Sequence, residues 1–161
     1  MIVVTIVAVL MTIAAPSLRT LIITNQLRSV VGDLLSDIAI SRSEASKRSQ
    51  RVVLCASDNQ STCVASASWA TGWISFVDAD NSGQRDAVSG NEPLLRVKQA
   101  APTSIQITAP GVTDIRFRSI GVVDAAKTLT VCPVITGTGI AGRLINMNAL
   151  GKVQATNTTC P

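Results

Sequence analysis

The hydrophobic period of this chain changes once, near residue 50, and that change limits the possible folds more than any single motif does. From residue 18 to about residue 46, the apolar residues Leu18, Leu21, Ile22, Leu27, Val30, Val31, Leu34, Leu35, Ile38 and Ala45 recur at spacings of three and four. This is the signature of one long amphipathic helix. Its polar face is expected to carry Asn25, Arg28, Asp33, Asp37 and Glu44, with Glu44 four residues before Arg48 in the favourable orientation. Ahead of it, residues 1–16 read MIVVTIVAVLMTIAAP without a charge. The stretch is shorter than the roughly 20 residues of a spanning helix and lacks the basic start of a secretory signal. It reads as an apolar leader running directly into the helix, with Pro16 placed to kink it, because proline has no N–H and crowds the preceding turn.

Beyond Gln50 the period falls to about two. Segments 51–55, 72–77, 94–98, 104–108, 114–118, 129–132, 143–148 and 152–155 alternate or are rich in β-branched residues, and Gly, Pro, Asn and Asp divide them. The expectation is an α+β fold, a long N-terminal helix laid across one face of an antiparallel β-sheet. Residues 1–50 are expected to form the helix, with 1–16 as its apolar, lipid-embedded part and 17–50 as the amphipathic part. Residues 51–161 form a β-rich head.

No residue is His or Tyr, which removes the Ser/His/Asp and Cys/His relays, a histidine base near neutral pH, and any zinc site not built from Cys and carboxylate. Catalysis is therefore not expected. With Trp69, Trp73, Phe76 and Phe117 as the whole aromatic complement, stacking platforms for single-stranded nucleic acid are also missing. Trp69 and Trp73 read as core or hairpin anchors. Lys98 and Glu92 are a conceivable acid/base pair, but nothing in the sequence marks a pocket for them. Charge is uneven: residues 1–51 carry six cations and three acids, 52–92 one cation and five acids, and 93–161 seven cations and two acids. The C-terminal part is the basic part.

Cys55, Cys63, Cys132 and Cys160 contain no C-x-x-C. An even count suggests two disulfides. Short spacing favours Cys55 with Cys63 and Cys132 with Cys160, although three connectivities are possible. Such bonds persist in a periplasmic or extracellular compartment.

A greasy leader ending in Ala-Pro-Ser is followed by Ile40-Ser-Arg-Ser-Glu-Ala-Ser-Lys-Arg48 and Gln50-Arg-Val-Val-Leu-Cys55. Then come Trp69, Gly72-Trp-Ile-Ser-Phe-Val-Asp78 and Gly90-Asn-Glu-Pro-Leu-Leu-Arg96. This series resembles the FimT/FimU minor pilins and the GspH pseudopilins over nearly the whole chain. The resemblance implies a pilin-like fold and a structural subunit of a type IV pilus or type II secretion pseudopilus, active in filament assembly or priming. It implies a single-pass inner-membrane protein with a periplasmic head, later packed into a filament through residues such as Val4, Val7, Leu10, Ile13 and Pro16. Expected partners are other minor pilins or pseudopilins, the major pilin, and the inner membrane before assembly. No cofactor and no small-molecule substrate are expected. The family's processing motif, Gly-Phe-Thr-Leu-Ile-Glu, would precede Met1, and in-frame upstream sequence is expected to encode it.

Some relatives bind double-stranded DNA for uptake through a C-terminal Gly-Arg-x-Arg motif. The matching stretch is Gly151-Lys152-Val153-Gln154, which keeps one cation of the two. Arg143, Arg116 and Arg118 are candidates to compensate, giving a weak, sequence-independent interaction as the alternative function. A last candidate is Asp78-Ala-Asp80-Asn81-Ser82-Gly83-Gln-Arg-Asp86, which resembles the start of a calcium loop through Asp78, Asp80 and Asp86. Position twelve, where an EF-hand places a bidentate Glu, is Ser89, and Glu92 is a further acid within reach. The competing reading is a polar hairpin turn.

Overall fold

The structure, a computed structural model, describes residues 2–66, 68–88, 90–135 and 139–160, with side chains from residue 18 onward. Helix α1 spans Ile2–Arg48. The side chains of Val4, Val7, Leu10, Ile13 and Pro16 lie outside the described residues, as does Ser89. Among the described residues, no helix is long and apolar enough to cross a membrane. The buried stripe of α1 is Ile23, Leu27, Val30, Val31, Leu34, Ile38 and Ala45, the three-and-four spacing of a helix face packed on a core. The helix stops where Ser49 turns left-handed (φ 53°) and the Gln50 N–H reaches back to the Ala45 carbonyl. Lys47 and Arg48 occupy its last turn, where cations complement the helix dipole.

Among the described residues eight strands follow: β1 (Arg51–Ala56), β2 (Trp73–Asp78), β3 (Leu94–Lys98), β4 (Ile105–Thr108), β5 (Asp114–Phe117), β6 (Lys127–Pro133), β7 (Gly142–Met147) and β8 (Val153–Thr158). Each overlaps one of the segments read from sequence. β8 runs three residues further than expected because Gln154–Thr158 is polar on both faces. It is held by pairing with β7 and by the adjacent Cys132–Cys160 disulfide, not by alternating hydrophobicity.

The strands form two antiparallel four-stranded sheets, β3-β2-β1-β5 and β4-β6-β7-β8, where a single sheet was expected. β4 and β5 are neighbours in sequence yet belong to different sheets. Helix α1 packs on β1, β2 and β5 of the first sheet and on β4 and β6 of the second. The main core joins the helix stripe to Val52, Leu54, Phe117, Ile107, Leu129 and Ile145. A smaller core of Val53, Cys55, Ile74 and Phe76 lies on the other face of the first sheet, with Cys63 and Leu94 packed against it. That face is therefore not solvated, and β1 and β2 are buried along almost their whole length.

Polar contacts fix how the helix sits. Ser41 and Ser75 pair through their hydroxyls at 2.7 Å, and Lys98 Nζ meets Asp33 at 2.6 Å. Asp37, expected on the solvated helix face, is instead buried at 3% exposure. Its carboxylate accepts the Trp73 indole N–H at 2.8 Å and the Arg96 Nε–H at 2.9 Å, and these two bonds offset the cost of removing a charge from water.

Candidate functional site

Three surfaces carry the residues singled out by sequence. The first is the exposed part of α1. Leu18, Leu21 and Ile22 belong to the apolar pattern, yet they are 59%, 57% and 46% exposed, while Ile23 and Leu27 next to them are buried. The head covers only one side of α1 here, so its pattern continues outward as an open apolar surface, directly after the uncharged residues 1–16.

The second surface concerns the cations. Lys152 is exposed in the tight connection between β7 and β8, which Arg42 braces by donating from Nη1 to the Gly151 carbonyl (3.0 Å) and from Nη2 to the Leu150 carbonyl (3.2 Å). Arg143 lies at the opposite end of that hairpin, opposite Asn157, and lines a cavity of about 300 Å³ with Thr20, Thr24, Leu27 and Arg28. Four strand positions separate Arg143 from Met147 at the turn end, roughly 13 Å. Arg116 is on β5 in the other sheet, paired with Asp114 and packed against Gly83, where an added Cβ would overlap its guanidinium. Arg118 lies just past β5 and pairs with Asp124 at 2.6 Å. The turn after β5 that begins at Arg118 packs on the Gly151 turn that carries Lys152, with Arg42 against both, whereas Arg143 sits at the far end of the hairpin; Arg116 and Arg118 are each paired with an acid. Lys98 and Glu92 are also apart: Lys98 holds Asp33 on the helix, and Glu92 is built into the loop after β2.

The third surface is that loop, between β2 and β3. Asp78, Asp80 and Glu92 place ligand oxygens within 4.8 Å of one another. Asp86, the acid expected to join the first two, instead accepts the Val88 N–H, while its backbone N–H donates to Glu92 Oε2 at 2.6 Å. The reason lies in the pairing of β2 with β3, which returns the chain past the end of β2 and brings Glu92 alongside Asp78; the Val77 N–H bonds the carbonyl of Pro93, directly after it. Gly83, with φ 78°, turns the chain so that its N–H reaches Asp78 Oδ1 at 3.3 Å. Burial pushes the Asp78 carboxyl above its ordinary range, opposed by the Gly83 N–H and reinforced by Asp80 and Glu92. The N–H and hydroxyl of Ser82 hold Asp80 below its ordinary range.

Both disulfides close as short spacing favoured, Cys55–Cys63 and Cys132–Cys160. The first ties the loop after β1 over the smaller core, and Arg85 joins that loop to the acidic one by donating to the Ser61 and Glu92 carbonyls. Trp69 and Trp73 are fully buried anchors; the Trp69 indole N–H donates to the Val112 carbonyl at 3.0 Å. The sequence pattern missed the roles of Asp37, Arg42 and Arg85, because each depends on a partner far away in the chain.

Among solved structures, the chain resembles the type IV minor pilin FimU of Pseudomonas aeruginosa, with TM-score 0.62 and 18% identity over 82% of this chain and 89% of that one. It also resembles EpsH, the minor pseudopilin of the type 2 secretion system of Vibrio cholerae, with TM-score 0.55 and 10% identity over 82% and 97% of the two chains. At these identities the likeness concerns the fold, one long helix on antiparallel sheets. No curated protein matches by sequence. The family described as type II transport protein GspH matches residues 30–151, about three quarters of the chain. The chain belongs to this GspH family, the minor pilins and pseudopilins of type IV pili and type II secretion systems.

Proposed function

We propose that this chain is a structural subunit that enters a pilus or pseudopilus by its N-terminal helix and acts in assembly or priming of the filament. Residues 1–50 anchor and pack; residues 51–161 are the head that meets other minor pilins and the major pilin. Before assembly, the helix sits in the inner membrane and the head in the periplasm, the oxidising compartment that suits two disulfides.

The observation that carries this reading is the open apolar face of Leu18, Leu21 and Ile22 on a helix whose other side meets the head through Ile23 and Leu27. Burying the half of each side chain still exposed against neighbouring helices is worth about 1 kcal/mol apiece, which favours lateral packing. DNA uptake is not adopted, because the Gly151-Lys152-Val153-Gln154 stretch keeps one cation of two, Arg143 lies at the far end of the hairpin from Lys152, and Arg116 and Arg118 are in ion pairs.

The test is a double variant, Leu21→Glu with Ile22→Glu, expressed in the deletion strain. Both positions are exposed, so the head keeps its fold. The expected result is loss of the chain from sheared filaments and fewer filaments per cell, with normal levels in the membrane fraction. Incorporation at the wild-type level would overturn the proposal.

A further inference from the structure

We infer that Asp78, Asp80 and Glu92 form a calcium site that closes the loop between β2 and β3. Three observations converge on it. Carboxylate oxygens from all three residues lie within 4.8 Å of one another, a span that one cation with bonds of about 2.4 Å bridges. Asp78 is buried at 1% exposure, and its Oδ2 is the one buried side-chain N or O without a hydrogen-bond partner among the described residues. A buried carboxylate oxygen left bare is costly, and a cation is the partner its geometry and charge fit.

The third observation is the lack of a direct ion pair to the cluster. Among the described residues, no Lys or Arg forms an ion pair with any of the three acids. Arg118 pairs with Asp124, Arg116 with Asp114, and Arg85 donates to the carbonyls of Glu92 and Ser61; Arg51, opposite Asp78 across the β1–β2 pair, favours the charged form of Asp78 by its field but makes its ion pair with Asp124.

Glu92 is held in place from behind. Its Oε1 accepts the Ala79 N–H at 3.1 Å and its Oε2 the Asp86 N–H at 2.6 Å, and each oxygen keeps a second lone pair for a metal. An all-oxygen, all-carboxylate set selects a hard cation over zinc or copper. Calcium accepts the irregular geometry of a hairpin loop, whereas magnesium demands a compact octahedron. Three carboxylates leave the rest of calcium's six to eight positions to water and loop carbonyls, as befits an extracellular site of ~0.1 to 1 mM affinity.

The site would lock the acidic loop over the smaller core of Val53, Ile74 and Phe76 and alongside the Cys55–Cys63 loop. This inference is independent of how the filament assembles.

The test uses the full chain in detergent, stripped with chelator, then titrated with calcium chloride by calorimetry and followed by thermal unfolding with calcium or with chelator. Saturable binding of one ion and a higher unfolding temperature in calcium are expected. Asp80→Asn, at an exposed position, is expected to weaken binding at least about tenfold, the cost of losing one charged ligand, while its unfolding temperature in chelator stays at the wild-type value. Asp86→Asn is expected to bind as the wild type does. No heat and no thermal shift at about 10 mM calcium, well above the affinity of extracellular sites, would overturn the inference. So would undiminished binding by Asp80→Asn, or a magnesium response equal to that of calcium.

Discussion

The carboxylate of Asp37 on α1 accepts the indole N–H of Trp73 on β2 at 2.8 Å, joining two buried residues 36 positions apart. Asp37 Oδ1 also accepts from Arg96 on β3, so one carboxylate ties the helix to two strands of the first sheet. The bond fixes both rotation and translation of the helix, which apolar packing alone leaves softer. Asp37→Ala would leave the buried indole N–H without an acceptor and is expected to cost about 2 to 3 kcal/mol in urea unfolding. Asp37→Asn keeps an acceptor for the indole and should cost about half as much. Equal losses in the two variants would show that charge, and not the indole bond, is what matters there.

Gly142 lies against the second disulfide. A Cβ added there would overlap Cys160 Sγ and stand 2.7 Å from Cys132 Sγ and 2.9 Å from the Val131 carbonyl. Backbone and a cross-linked pair cannot move aside as a flexible side chain would. Gly142→Ala should lower stability by about 1 to 3 kcal/mol, the usual cost of overpacking, and leave a measurable fraction of free thiol in a thiol titration. A fully oxidised variant with an unchanged melting temperature would contradict this.

Arg42 braces the turn that carries Lys152. Replacing it by Met keeps much of the stem but releases the carbonyls of Leu150 and Gly151. The expected global loss is about 1 kcal/mol. Locally, the amides of Gly151 and Lys152, which bond the Asn148 carbonyl and side-chain oxygen, should exchange faster with solvent deuterium. Unaltered exchange at these two amides would mean that the β7–β8 pairing holds the turn unaided.

At the helix end, the Arg48 and Lys47 side chains hold the Glu44 carboxyl below its ordinary value of 4.5. Because the folded value is the lower one, this contribution is present above the ordinary value and is lost as pH falls through the folded value. Carboxyl NMR should show Glu44 titrating below 4.5 in the wild type and moving back toward it in Arg48→Ala. A titration in Arg48→Ala that stays where it was would assign the shift to Lys47 alone.

Much of this molecule is written locally. The helix stripe from Ile23 to Ala45 and the positions of eight strands follow from apolar spacing and from Gly, Pro, Asn and Asp between segments, because those signals act over a few residues. The short disulfide spacings similarly favoured the pairing found. The acidic loop was legible as Asp78 and Asp80 with Asp86 and Glu92 as further acids. Which of those two completes the cluster was not, since Glu92 arrives only through the return of the chain to pair β3 with β2.

Sequence by itself therefore determined the elements, their order and the helix-then-strands class. Tertiary structure decided the division into two sheets, the burial of Asp37 beside Trp73, the pairing of Arg116 and Arg118 with acids, and the meeting of Asp78 with Glu92. The physical reason is range: periodicity records which face of an element is apolar, whereas strand partners and buried polar pairs depend on residues tens of positions away.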